Sequence, residues 1–150
     1  MSIMRQNFIF SLQKVLDLRD RQEEESREAL ASAQKRYQQQ NERVQSIREE
    51  RSRAQEHMAE KRDFTQGDIW LYSLYRDGLN QDLVQEEKKL GQLAREIHKR
   101  RQELIEKSKQ KKTLENLKQN RKEKFEHEQQ KEEQKEFDEM AVLRHRFEAY

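Results

Sequence analysis

From Leu12 a strict 4-3 alternation can be walked through Leu16, Arg19, Glu23, Ser26, Leu30, Ala33, Tyr37, Gln40, Val44, Ile47, Arg51, Ala54 and Met58. A repeat that averages 3.5 residues keeps one edge of an α-helix turned toward a partner helix, so the pattern points to a coiled coil. Nine of the fourteen positions are apolar, enough to set a register and too few for a tight zipper. At the interruptions Arg19, Glu23, Gln40 and Arg51, the side chains are expected to bury their stems and hold their heads in water. A second walk with the same period runs through Tyr72, Leu79, Leu83, Leu90, Leu93, Ile97, Leu104, Leu114 and Phe125.

Between the two walks stands Thr65-Gln66-Gly67-Asp68, followed at once by the apolar cluster Ile69-Trp70-Leu71-Tyr72-Ser73-Leu74-Tyr75. A glycine among turn formers marks the reversal, and Asp68 is expected to cap the second helix. Asn7 or Ser11 is expected to cap the first. A short connection between helices of matching period makes them antiparallel neighbours. The predicted fold is therefore all-α, a long antiparallel two-helix coiled-coil hairpin forming one domain over 1–150. Helix one runs from about 8 to 63, the turn from about 64 to 68, and helix two from about 69 to 145 with its C-terminal part overhanging. A reversal centred near Gly67 pairs residues whose numbers sum to about 133, which sets Leu16 against Leu114 to Lys118. Gly78 and Gly91, inside helix two, each cost about 1 kcal/mol relative to alanine. They read as slack in the helix or as points of close backbone approach.

Composition agrees with a thin seam. Charged residues make up 41% and apolar residues 31%, against about 25% and 45–50% in ordinary globular domains. There is no proline and no cysteine, so a Pro-rich linker, disulfides, thiolate metal sites and a thiol nucleophile are excluded. No run of 18 apolar residues occurs, and Met1 to Phe10 lacks the apolar core of a signal peptide; the expectation is a cytoplasmic chain with no direct membrane insertion.

Catalytic chemistry finds no footing. The histidines at 57, 98, 127 and 145 form no metal-binding pair, paired carboxylates such as Glu49/Glu50 and Glu86/Glu87 sit on helices without a cleft, and no phosphate-cradling glycine loop is present. The expectation is no enzyme activity, no cofactor and no metal. Thirty-two Lys and Arg are interleaved with thirty Asp and Glu. The basic runs His98 to Arg101 and Lys107 to Lys112 stand beside Glu103, Glu106 and Glu115, so nucleic acid ranks well below a protein partner.

Both ends of the chain carry motifs. Phe8-x-Phe10-x-Leu12-x-x-Val15-Leu16-x-Leu18-Arg19 opens it, and Glu103-Leu104, Leu114-Glu115-x-Leu117-Lys118 and Glu133-Gln134-Lys135-Glu136-x-Asp138-Glu139 follow in order. In these the sequence resembles the flagellar export protein family FliJ; the motifs frame almost the whole chain, and the middle, from about 35 to 66, is similar only in character. The resemblance implies a stalk-like hairpin of the flagellar type III export apparatus, peripheral to the cytoplasmic face of the membrane. Its partners would be a hexameric export ATPase, a transmembrane export gate protein and export chaperones. On the ATPase side the resemblance implies Phe8, Phe10, Leu12, Val15, Leu16, Arg19, Glu133, Lys135, Asp138 and Glu139. On the gate side it implies Tyr72, Tyr75 and Leu79, and the exposed Trp70 of the same cluster joins them. Leu12, Leu16, Tyr72 and Leu79 also lie on the seams and are equally readable as hairpin core. Phe8, Phe10, Trp70, Tyr75, Phe137 and Phe147 lie off the seams or past them, where two helices are expected to cover them only partly. The stalk of a virulence secretion system and a generic self-associating coiled coil are the alternative readings.

Overall fold

The computed structural model describes residues 6–149; Met1–Arg5 and Tyr150 lie outside it. Two helices account for nearly all of these residues, α1 over Gln13–Glu60 and α2 over Gln66–Glu148, with no strand among the described residues. The fold is the expected all-α helical hairpin. It divides into two compact units, one of Met1–Glu23 with Lys107–Tyr150 and one of Glu24–Glu106.

Burial follows the 4-3 walk of α1 at every step: all fourteen seam positions are buried or half-buried. Ala33 and Val44 are completely enclosed, and Leu79 and Leu83 are the buried residues of α2. Four of the five polar positions of the walk, Arg19, Glu23, Gln40 and Arg51, behave differently from the sequence expectation, because each reaches a polar group on α2; the fifth, Ser26, has a buried hydroxyl with no hydrogen-bond partner. In the first unit the Arg19 guanidinium donates to Gln110 Oε1 at 2.7 Å, and Glu23 lies 3.7 Å from Lys111 Nζ. In the second, Gln40 donates to the Glu86 carbonyl at 2.9 Å and to its carboxylate, and Arg51 donates to Asn80 at 3.2 Å. A seam only two helices wide places a polar side chain of one helix directly against the other, where a partner is nearer than bulk water.

The register centred near 133 recurs in both units. Phe8 meets Phe125 with ring centroids 5.7 Å apart, and Lys118 donates to Gln13 at 2.8 Å. Leu16, only 8% exposed, lies one turn beyond Gln13 and one turn before Asp20, which pairs with Lys111 at 2.7 Å. Within the second unit Arg36 grips Glu96 with two nitrogens, at 2.7 and 3.0 Å.

Helix starts differ from the sequence expectation. The Asp68 N–H donates to the Thr65 hydroxyl at 3.1 Å, and the Thr65 N–H donates to the Asp68 carboxylate at 3.2 Å. That reciprocal pair is a capping box with Thr65 as the cap and Asp68 in the first turn. The loop itself is 61–65, and Gly67 lies inside α2; among the described residues none has a positive φ. At the other start the Ser11 hydroxyl accepts from Arg121 at 3.1 Å, a tie across to α2. Nothing stands within 4 Å of a Cβ built on Gly78 or Gly91, so neither glycine serves a close approach.

Four carboxylate and ammonium groups record these ties. Asp68 is held below its ordinary range by the Thr65 N–H and then by Lys61, Glu86 by Gln40 and then Lys89, and Glu96 by Arg36. Lys111 is raised, chiefly by its bond to Asp20.

Each substitution Gly67→Ala, Gly78→Ala and Gly91→Ala is expected to raise stability by about 0.5–1 kcal/mol in urea unfolding. Val44→Ala is expected to lower it by about 2 kcal/mol, whereas Val84→Ala, on the surface, stays within about 0.5 kcal/mol. Depressed carboxylates contribute stability above their unfolded values near about pH 4, and that contribution is lost as pH falls through the lower folded values. The melting temperature should therefore fall on acidification below about pH 4, and less steeply in Glu86→Gln/Glu96→Gln; an unchanged acid limb would contradict the assignment. Lys111 works in the opposite sense, contributing below its unfolded value and losing that contribution as alkaline pH passes its raised one.

Candidate functional site

In the first unit, residues 6–10 are not helical but lie along α2, held by the bond from Gln129 to the Gln6 carbonyl at 3.1 Å and by the Phe8–Phe125 contact. This strap turns Phe10 inward, so that it is only 6% exposed, with the Arg121 guanidinium 5.7 Å over its ring. Partial cover was expected for Phe10 on a helix that began at residue 8. Because the chain enters α1 at Gln13 instead, the ring packs as core. Leu16 is core too, Phe8, Leu12 and Arg19 are half-buried, and Val15 is exposed.

The acidic and basic candidates lie farther along α2. Glu133 is half-buried, and from 134 to 149 every described residue is exposed. Lys135, Asp138 and Glu139 sit in that segment, with Asp138 accepting from Gln134 at 3.2 Å. Phe137, Met140, Leu143 and Phe147 are exposed beside them. Their spacing of three, three and four residues puts them on one arc of the helix. The structure thus groups Phe8, Phe10, Leu12, Leu16 and Arg19 against the middle of α2, and leaves Lys135, Asp138 and Glu139 on a stretch of helix that has no cover.

In the second unit the turn-proximal candidates separate by depth. Leu79 is buried and Tyr72 half-buried, with Arg76 5.8 Å over the Tyr72 ring. Tyr75 is half-exposed and its hydroxyl donates to Glu50 at 2.6 Å; the Glu50 carboxylate raises the phenol above its ordinary range. Trp70 is exposed to 62%. Phe64, Ile69, Leu71 and Leu74 are also exposed, residues that family motifs did not single out; the run of apolar letters from 69 to 75 could have flagged the last three. A shallow groove between the helices beside the loop is lined by Ala54, Met58, Leu71 and Tyr72.

The basic runs are occupied by neighbours. Arg100 bonds to Glu103 at 3.1 Å, and Lys111 is shared among Asp20, Glu23 and Glu115. Among the described residues no group of three or more His, Asp or Glu is placed to hold a metal ion, and no helix is long and apolar enough to cross a membrane.

Comparison with curated proteins and with solved structures finds no match. A family model described as "Flagellar FliJ protein" matches residues 8–149, which takes in the N-terminal strap from Phe8 on, both helices, the loop and the uncovered end of α2. The chain belongs to the flagellar FliJ family.

Proposed function

We propose that this protein acts without catalysis of its own as a coiled-coil adaptor of flagellar protein export, binding the hexameric export ATPase through its first unit and the transmembrane export gate through the loop end of its second. Family membership and the paired helices support the general role, that of a stalk or chaperone in flagellar export. The observation that carries the finer reading is the uncovered segment 134–149, where apolar side chains at helical spacing stand beside Lys135, Asp138 and Glu139. Large exposed apolar side chains with charged neighbours are the ordinary make-up of a docking surface.

Depth supports a division of roles within this reading. Phe10 and Leu16 shape the first unit from within and Arg19 fixes its register, whereas Val15, Lys135, Asp138 and Glu139 are free to meet the ATPase. Toward the gate, Trp70 and Tyr75 offer contact area while Tyr72 and Leu79 hold the helix start in place. Export chaperones would be handled at the same surfaces, on the cytoplasmic face of the membrane.

Binding and stimulation of the purified export ATPase test this directly. Lys135→Glu combined with Phe147→Ala, both at exposed positions, is expected to weaken binding about tenfold or more while leaving helix content unchanged. Phe10→Ala would instead lower stability, since that ring is core. Absence of any binding by the unaltered chain overturns the ATPase assignment.

A further inference from the structure

Past Glu133 every described residue of α2 is exposed. At about 100° per residue, Phe137, Met140, Leu143 and Phe147 fall within an arc of about 120°. Their exposures run from 54% at Leu143 to 82% at Phe147. The half-buried positions just before them, Phe125, Gln129 and Glu133, centre on a direction within about 20° of that arc. Phe125 and Gln129 are the residues that hold the N-terminal strap. The bare apolar arc is thus the straight continuation of a face on which α2 already packs.

Charge divides near the middle of this segment. Glu132, Glu133, Glu136, Asp138 and Glu139 precede Met140, with Lys135 alone among them; Arg144, His145 and Arg146 follow it, before Glu148. A like segment laid parallel would set acid beside acid. Laid antiparallel, it sets the acidic half of each against the basic half of the other. Two helices related by a two-fold axis across them bring like flanks together, and Glu139 and Arg146, one heptad apart, share a flank of the arc. Centring the pair between Met140 and Leu143 puts each Met140 against Leu143 of the second copy and each Glu139 beside its Arg146. Every contact then occurs twice.

We propose that the bare end of α2 pairs antiparallel with the same segment of a second copy of this chain. Burial of the apolar arc of each copy supplies the attraction, and the exposed Glu139–Arg146 pairs, each adding little strength, choose the orientation. Two observations favour a second copy over an unrelated helix. The segment carries both halves of a complementary charge pattern, and a two-fold pair uses both at once. Its apolar arc also prolongs the packing face of α2, so a helix from the second copy takes up where the strap leaves off. An interface this small makes a reversible dimer rather than an obligate one. Lys135 and Asp138 point away from the arc and stay open to other partners, so the proposal does not rest on the ATPase reading.

Sedimentation equilibrium of the full chain alone, from micromolar to millimolar concentration, tests this. A reversible monomer–dimer equilibrium is expected. Met140→Asp and Leu143→Asp should each weaken it about tenfold or more, with helix content and melting temperature unchanged because both positions are exposed. Leu74→Asp, at the loop end of the second unit, should leave it unchanged. Glu139→Arg and Arg146→Glu should each weaken it about threefold or more, and the two exchanges together should restore it. Spin labels at Ala141 should lie close to one another across the dimer, whereas labels at Lys131 should be about 30 Å apart along the helix axis. A chain that stays monomeric throughout overturns the proposal, and so does a dimer that survives both Met140→Asp and Leu143→Asp. Short distances at both label sites overturn it in favour of parallel pairing. The export ATPase takes no part in these measurements, so its binding stands or falls separately.

Discussion

The hairpin depends on polar side chains that bond across a seam too thin to be held by apolar contact alone. Arg19 to Gln110 in one unit, and Gln40 to Glu86 and Arg51 to Asn80 in the other, occupy positions where a stronger coiled coil would carry leucine. Each such bond adds little net stability, because its groups would otherwise be hydrated. Its larger effect is on alternatives. If one helix slides by a turn, these groups lose their partners inside the seam, and a half-buried polar group without a partner is costly. Polar seam residues thus select register more than they add strength, the use best attested for such positions in coiled coils.

That division shapes the surfaces available for function. Apolar residues needed to hold the helices together are few, and Ala33, Val44, Leu79 and Leu83 are buried. Larger side chains are then left outside in two places, around the loop of the second unit and along 134–149 in the first. With 32 basic and 30 acidic residues, the chain has no field of one sign. These two places are therefore marked by exposed apolar and aromatic groups rather than by charge of one sign.

Much of this was legible in the letters because a 4-3 period is a geometric statement. The walk from Leu12 to Met58 located the covered edge of α1, and the sum near 133 located Leu16 between the turns paired to Lys118 and Lys111. What the letters hid was local hydrogen bonding. Thr65 and Asp68 both suit a helix start, and only the reciprocal bonds show that threonine is the cap and that Gly67 belongs to the helix. On periodicity Phe10 reads as half-covered, because a helical period says nothing about a segment that is not helical. The snorkelling expected of Arg19 and Gln40 failed because their partners, Gln110 and Glu86, lie off the second apolar walk and so carried no signal of their own.

Pairing within a single chain, in this register, is what every surface assigned above relies on. It is tested most directly by electron spin labels at Asp17 and Asn116, both exposed and near the Leu16 seam. A single short distance, unchanged when labelled protein is diluted with a large excess of unlabelled protein, is the predicted result. A distance that disappears on such dilution would show that the helices pair between chains and would contradict the account.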